Sequence, residues 1–183
     1  MAFKLLSDQS ATSSVSEIDF TSGITSAYKS YRFVWYDYRV TEGGLDFMAS
    51  IDNSAWDVRV TSNYLESWNN EASNNDNLNA DVGIHYNQGS DNASFFLRLG
   101  SMTFAQADSH NCGEIWLMNP ASTTFGKMWW HRCASSYNVG QIHSWSGGYF
   151  DTASAITGIR FACGAAGELG DDITGSFKMY GVS

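Results

Sequence analysis

The stretch from Tyr31 to Val40 reads Y-R-F-V-W-Y-D-Y-R-V, and nearly every side chain in it is aromatic, β-branched or arginine. This composition predicts a long β-strand, along which side chains alternate between two faces. The predicted faces are Tyr31, Phe33 and Trp35 on one side and Val34, Tyr36, Tyr38 and Val40 on the other. Because both faces are largely apolar, we expect both to be covered, as in a central strand of a sandwich.

The rest of the chain has the same short apolar alternation, with one possible helical turn at Tyr64 to Trp68 and a polar loop at Asn69 to Asn79. The further predicted strands are Ala2 to Leu6, Val15 to Phe20, Leu45 to Ile51, Trp56 to Thr61, Asp81 to Tyr86, Ser94 to Phe104, Glu114 to Met118, Lys127 to Cys133, Gln141 to Trp145, Ala155 to Cys163 and Ser176 to Val182. About a dozen strands with short connections predict an all-β fold. An antiparallel β-sandwich of jelly-roll type, forming a single domain over residues 1–183, is the first choice.

Composition and charge exclude several functional classes. The chain carries 10 Lys and Arg against 19 Asp and Glu, for a net charge of -9, so nucleic acid is not an expected partner. No apolar run is long enough for a signal peptide or a membrane span, which predicts synthesis in a cytoplasm and no membrane partner. The three cysteines, Cys112, Cys133 and Cys163, are an odd number at wide spacing and are expected to be free thiols.

Two patterns raise the possibility of a metal site. His110 with Cys112 and His131 with Cys133 form H-x-C pairs, each of which would share one face of a strand, and together they could make a tetrahedral zinc site. Ordinary packing is the favoured interpretation of both pairs. Calcium is a second alternative, at the oxygen-rich segments Asn74 to Asn77 and Glu168 to Asp172. Neither segment has EF-hand spacing, so no metal and no cofactor is predicted.

Aromatic residues are the remaining candidates for a functional surface. Trp129 and Trp130 are adjacent on a predicted strand and must point to opposite faces. Exposed aromatic rings stack on sugars or anchor protein interfaces. The candidate interface or glycan-binding residues are Trp116, Trp129, Trp130, Trp145 and Tyr149.

Catalytic motifs give no competing prediction. The chain has no G-x-S-x-G and no H-E-x-x-H sequence, and its glycine-rich segments lack the lysine of a phosphate loop. The sequence therefore predicts a protein that is not an enzyme.

Three segments of the chain form a recognisable set: Ser13 to Trp35, N-P-A-S-T-T-F at Asn119 to Phe125, and Ala155 to Val182, which ends in G-S-F-K-M-Y-G-V. Together they resemble a group of structural proteins from tailed-bacteriophage virions. The resemblance implies a non-enzymatic component of the particle with a jelly-roll-like sandwich, assembled in the host cytoplasm.

Within a virion, we expect a capsid decoration or cement protein on the outer shell, because an acidic and compact domain suits a surface away from packaged DNA. Its partners would be the major capsid protein or tail proteins, and it would form a homo-oligomer. The alternatives are a globular tail or tail-fibre domain and, from another class, a carbohydrate-binding module that uses exposed Trp and Tyr. Residues 1–12 are a candidate assembly arm, so deletion of Met1 to Ser10 is expected to leave a folded domain that no longer assembles.

Overall fold

A computed structural model describes residues 2–39, 45–70, 110–137, 140–163 and 173–183. These residues form ten strands and no helix. The strands are β1 (Phe3–Val15), β2 (Glu17–Phe20), β3 (Ser30–Arg39), β4 (Leu45–Ser50), β5 (Val60–Asn70), β6 (Asn111–Met118), β7 (Lys127–Tyr137), β8 (Gly140–Phe150), β9 (Gly158–Cys163) and β10 (Ile173–Val182).

The strands form two antiparallel sheets, which confirms the all-β prediction and is consistent with a β-sandwich. The larger sheet has seven strands in the order β1-β10-β3-β6-β7-β8-β5, and the smaller has three in the order β2-β9-β4. The last two strands therefore lie between early ones: β10 separates β1 from β3, and β9 separates β2 from β4.

Aromatic side chains fill the space between the sheets. Tyr31, Phe33 and Trp35 point into it from β3 and are fully buried, as the alternation predicts. Phe161 of β9 faces them, with its ring centroid 5.8 Å from that of Phe33 and 6.1 Å from that of Trp35. Each such ring contributes roughly 2–3 kcal/mol by leaving water, so this cluster stabilises the packing of the two sheets.

A bulge near the end of β3 changes the alternation there. Asp37 has a positive φ of 51°, and the register against β10 shifts by one residue at this point. Gly175 of β10 lies opposite with φ 132°, where a Cβ would meet the backbone of Tyr36 and Tyr38 at 2.9 and 3.0 Å. The prediction that Tyr38 shares a face with Val34 and Tyr36 is wrong, because the extra residue turns Tyr38 into the core against Phe177.

Within the part of the chain that the structure describes, the prediction that both faces of this strand are covered holds for one face only. The three-stranded sheet covers the inner face, whereas on the outer face Tyr36 is 42% exposed. Val34 is buried on that face between neighbouring side chains of the same sheet. The outer face of the seven-stranded sheet therefore presents aromatic side chains to solvent.

Several predicted boundaries are corrected by strand pairing. The residues from Tyr64 to Trp68 belong to β5, not to a helical turn, because β5 pairs with β8 along its length from Val60 to Asn70. The segment predicted as a strand from Trp56 becomes a strand only at Val60. The predicted first strand is longer than expected and runs to Val15.

Some predictions concern residues outside the described ranges. These are the strands Asp81 to Tyr86 and Ser94 to Phe104, the end of the long strand at Val40, most of the loop up to Asn79, and the calcium candidates Asn74 to Asn77, Glu168, Asp171 and Asp172.

Candidate functional site on the outer face of the large sheet

Four of the five predicted aromatic residues lie on the outer face of the seven-stranded sheet. Trp116 of β6 pairs with Trp130 of β7, and Trp145 and Tyr149 project from the same side of β8. Trp130, Trp145 and Tyr149 are 39–43% exposed, and Trp116 is partly buried. Trp129 is the exception, because it points into the core beside Phe47. The prediction that Trp129 and Trp130 face opposite ways is confirmed, and Trp129 is removed from the candidate surface.

Two of these indole rings are stacked. The planes of Trp116 and Trp130 are inclined by only 12°, with centroids 5.7 Å apart. The Arg32 guanidinium lies over the other side of Trp116 at 5.9 Å and over Phe3 at 5.6 Å. This alternation of rings and a cation fixes the orientation of Trp116 and leaves a flat aromatic surface at Trp130.

A carboxylate holds the centre of this surface together. Glu114 accepts hydrogen bonds from Arg32 Nε at 2.5 Å and from Arg132 Nε at 2.6 Å, and Trp116 Nε1 lies 3.3 Å from the same carboxylate. Burial opposes ionisation of Glu114, but the two guanidinium groups outweigh it and lower the pKa of Glu114 below its usual range. The site therefore carries two positive charges and one negative charge in a chain whose net charge is -9.

An open groove of about 420 Å³ lies next to this cluster, across β3, β6, β7 and β8. Tyr36 forms one wall, and Trp145, with His143 stacked on it at 6.2 Å and 23°, forms the other. Small side chains, those of Val34, Cys112 and Ala134, line the groove between these walls. Arg32, Glu114 and Arg132 contribute its polar lining.

Gly113 in β6 lies beneath the groove, and its missing side chain leaves room on the inner face of the sheet. A Cβ at this position would lie 2.3 Å from Trp35 Cζ2 and 2.6 Å from Cys133 Cβ, far closer than atoms can approach. The absence of a side chain at Gly113 thus lets Trp35 pack tightly against the inner face of the sheet directly beneath the groove.

The predicted H-x-C pairs do not converge. Cys112 pairs with Ala134, whereas Cys133 pairs with Gly113, so the two thiols point to opposite faces of the sheet. Cys112 is exposed in the groove and Cys133 is buried, and both are free thiols. Among the residues described, no cluster of three or more His, Cys, Asp and Glu side chains could hold a metal ion. The side chain of Cys163 lies outside the description.

His131 instead belongs to a buried polar network on the inner face. Its Nδ1 hydrogen-bonds to Ser146, and its Nε2 lies 3.4 Å from Ser144 Oγ. Cys133 Sγ lies 3.1 Å from Ser144 Oγ, and burial raises the pKa of this thiol to about 11. A thiol kept protonated in the core is a poor nucleophile, so the geometry explains the Cys133 side chain as packing.

Burial lowers the pKa of His131 from 6.5 to about 3. Below pH 6.5 His131 binds a proton in the unfolded chain but not in the folded chain. The free energy of unfolding therefore decreases as the pH falls from 6.5 to about 3, by about 1.4 kcal/mol per pH unit. We expect His131→Gln to remove this contribution, so the unfolding free energy of the variant minus that of the unsubstituted protein should rise as the pH falls from 7 to 4. The matched control is His143→Gln on the exposed wall of the groove. An unchanged acid slope in His131→Gln would contradict the buried neutral imidazole.

Sequence reasoning missed the polar half of this surface, namely Tyr36, Arg32, Glu114, Arg132 and His143. The signal in the sequence was the presence of Arg32 and Arg132 within strands rich in aromatic residues. Their convergence on Glu114 depends on the pairing of Arg32 with Trp116 and of Glu114 with Arg132, which join residues far apart in the chain.

Comparison with known proteins adds no assignment to this geometry: no family model, curated protein or solved structure matches the chain. Within the described ranges there is also no helix long and apolar enough to cross a membrane. The function is accordingly inferred from the residues and contacts given above.

Proposed function

We propose that the chain is a non-enzymatic structural protein of a bacteriophage virion, and specifically a decoration or cement protein bound to the outer shell. The observation that carries the proposal is strand β1. It is thirteen residues long, lies at the edge of the large sheet, and displays Phe3 and Leu5 at 47% and 48% exposure. A long edge strand with exposed apolar side chains is a ready surface for pairing with another chain.

This strand coincides with the assembly arm proposed at residues 1–12. It is built into the sheet, because Phe3 pairs with Val182 and Ser10 with Ser176 of β10, and Asp8 forms an ion pair with Lys178 at 3.0 Å. Among the described strands, β10 is the one that pairs with β1, so the opposite edge of β1 is the edge offered to a neighbour. Deletion of Met1 to Ser10 would therefore remove a sheet strand as well as the contact, and point substitutions are the sharper test.

The strand order supports a jelly-roll type of sandwich. Strands β1 to β4 alternate between the two sheets, and the final pair, β9 and β10, inserts one strand into each sheet between its early members. A closed sandwich of this kind presents its edges and faces to neighbours without needing a deep cleft.

The charge supports a location on the outside of the shell. A chain with net charge -9 is repelled by packaged DNA, and neither nucleic acid nor membrane is a partner in this proposal. The partner of β1 would be the major capsid protein or another copy of this chain in a homo-oligomer, assembled in the host cytoplasm. A globular tail or tail-fibre domain, in contact with tail proteins, is the alternative within the same class.

A carbohydrate-binding module is the second candidate, and one observation favours it. The stacked pair Trp116 and Trp130, together with the exposed Trp145 and Tyr149, forms an aromatic surface on the same side of the sheet. The burial of Trp129 weakens this candidate, but the other four residues keep it open.

The double substitution Phe3→Ser and Leu5→Ser tests the decoration proposal. We expect it to reduce incorporation into particles at least tenfold while the protein stays folded, because both side chains are about half exposed and lie outside the buried core. Phe125→Ser is the matched control, since Phe125 is 69% exposed but lies in the turn before β7.

The measurement is the amount of each variant in purified particles by mass spectrometry, with thermal unfolding of the isolated variants alongside. Incorporation of the double variant at the level of the unsubstituted protein would rule out β1 as the attachment element.

A further inference from the structure

We propose that the groove between Tyr36 and Trp145 binds an anionic saccharide through aromatic stacking and the Arg132 guanidinium. This inference gives the carbohydrate-binding candidate a ligand class and rests on it. It is tested separately from attachment through β1, because the groove lies on the face of β3, β6, β7 and β8 and none of its lining residues belongs to β1.

The shape of the groove suits a saccharide. Its volume of about 420 Å³ is within the range of small-molecule sites. Its walls are the exposed rings of Tyr36 and Trp145, and its lining includes the small side chains of Cys112 and Ala134. A pyranose ring has a C–H face that packs against an aromatic ring and hydroxyl groups that remain in water, which matches a shallow groove with aromatic walls.

The polar lining selects a negative charge. Arg132 uses Nε for Glu114, its side chain is 64% exposed, and a guanidinium has further N–H donors on its two terminal nitrogens. Because Glu114 is shared with Arg32, the described residues of the groove carry one net positive charge. Guanidinium groups bind carboxylates with two parallel hydrogen bonds, so a sugar carboxylate is the group that this arrangement recognises.

Glu114 has a positioning role in this proposal. It holds Arg132 against the sheet at 2.6 Å and keeps its charge at neutral pH, since the two guanidinium groups lower its pKa. A side chain already fixed in its binding orientation loses less conformational freedom when the ligand arrives.

A single-stranded nucleic acid is also anionic and stacks on aromatic rings, but the charges do not favour it. Its binding requires a track of basic residues along the phosphates, whereas the groove offers Arg32 and Arg132 with Glu114 between them. The lining therefore favours a saccharide as the ligand. An oligodeoxythymidylate serves as the probe for binding of single-stranded nucleic acid.

The test is binding of the purified chain to an array of uronic-acid-containing and neutral oligosaccharides, followed by calorimetry with oligogalacturonate and its methyl ester. The variants are Trp145→Ala and Arg132→Gln, with Met128→Ala as control. Met128 is 58% exposed on the same face but does not line the groove.

We expect binding to acidic members of the array, a preference for oligogalacturonate over its ester, and no effect of Met128→Ala. Trp145→Ala should weaken binding about tenfold, and Arg132→Gln should abolish the preference for the acid. The proposal is overturned by binding to no saccharide on the array, by equal affinity for acid and ester, by binding that survives both groove variants, or by binding to the oligodeoxythymidylate alone. None of these results bears on incorporation into particles, which tests the decoration proposal separately.

Discussion

Replacing Phe161 by alanine is expected to lower the free energy of unfolding by about 3–5 kcal/mol. Phe161 is fully buried on the central strand of the small sheet, and its ring contacts aromatic rings from both sheets. The centroid distances run from 5.3 to 6.1 Å, to Phe20, Phe33, Trp35, Phe47 and Phe177. Truncation would leave a cavity where the two sheets meet, and the surrounding rings cannot close it without leaving their own contacts.

The measurement is chemical denaturation of the isolated chain, followed by tryptophan fluorescence. Phe125→Ala is the control, because Phe125 is the most exposed large apolar side chain described and its truncation should change stability by less than about 0.5 kcal/mol. A loss below about 1 kcal/mol in Phe161→Ala would mean that the two sheets are not held together by this aromatic cluster.

Asp46→Asn is expected to stabilise the protein progressively as the pH rises. Asp46 of β4 is 1% exposed, and neither carboxylate oxygen has a hydrogen-bond partner among the described residues. Burial raises the pKa of Asp46 to about 8 from the ordinary value of 3.8. Between these values the unfolded chain releases a proton that the folded chain retains, so ionisation of Asp46 makes stability fall as pH rises.

An asparagine does not ionise and removes this slope. The difference in unfolding free energy between Asp46→Asn and the unsubstituted protein should grow by on the order of 3–5 kcal/mol from pH 4 to pH 8. Urea denaturation at pH 4, 6 and 8 measures it, with Asp57→Asn as the control at an exposed position. A difference that stays constant over this range would contradict a buried, uncompensated carboxyl group at Asp46.

Asp46 and His131 oppose each other in mildly acidic solution. Between the pKa of 3.8 for a free aspartate and 6.5 for a free histidine, Asp46 favours folding at lower pH, whereas His131 favours it at higher pH. These two contributions largely cancel in the unsubstituted protein. Asp46→Asn should therefore reveal the pH dependence of stability caused by His131, and His131→Gln that caused by Asp46.

The alternation of side chains predicted much of the fold. It correctly placed Tyr31, Phe33 and Trp35 together on one covered face and Trp129 and Trp130 on opposite faces, because a strand allows only two directions. It failed at Tyr38, since the bulge depends on Gly175, far away in the sequence and opposite Asp37 in the sheet. The side-chain pattern of one strand cannot show where its partner strand leaves an extra residue unpaired, and this is what creates a bulge.

The candidate site was less predictable than the core. Trp116, Trp130, Trp145 and Tyr149 could be named from the sequence because large aromatic residues are conspicuous. Arg132 and Glu114 could not be named, because their contact with each other depends on the register of β6 against β7, and that of Glu114 with Arg32 on the register of β6 against β3. The same register sends Cys112 and Cys133 to opposite faces and excludes the shared zinc site that their spacing had suggested.

Immunogold electron microscopy of purified phage particles, with antibody to this chain, tests the proposed function most directly. Label distributed over the head is the predicted result for a decoration protein on the outer shell. Label confined to the tail would contradict the decoration role and favour the tail or tail-fibre alternative. Particles without label, and without the chain in their mass spectrum, would contradict the virion assignment as a whole.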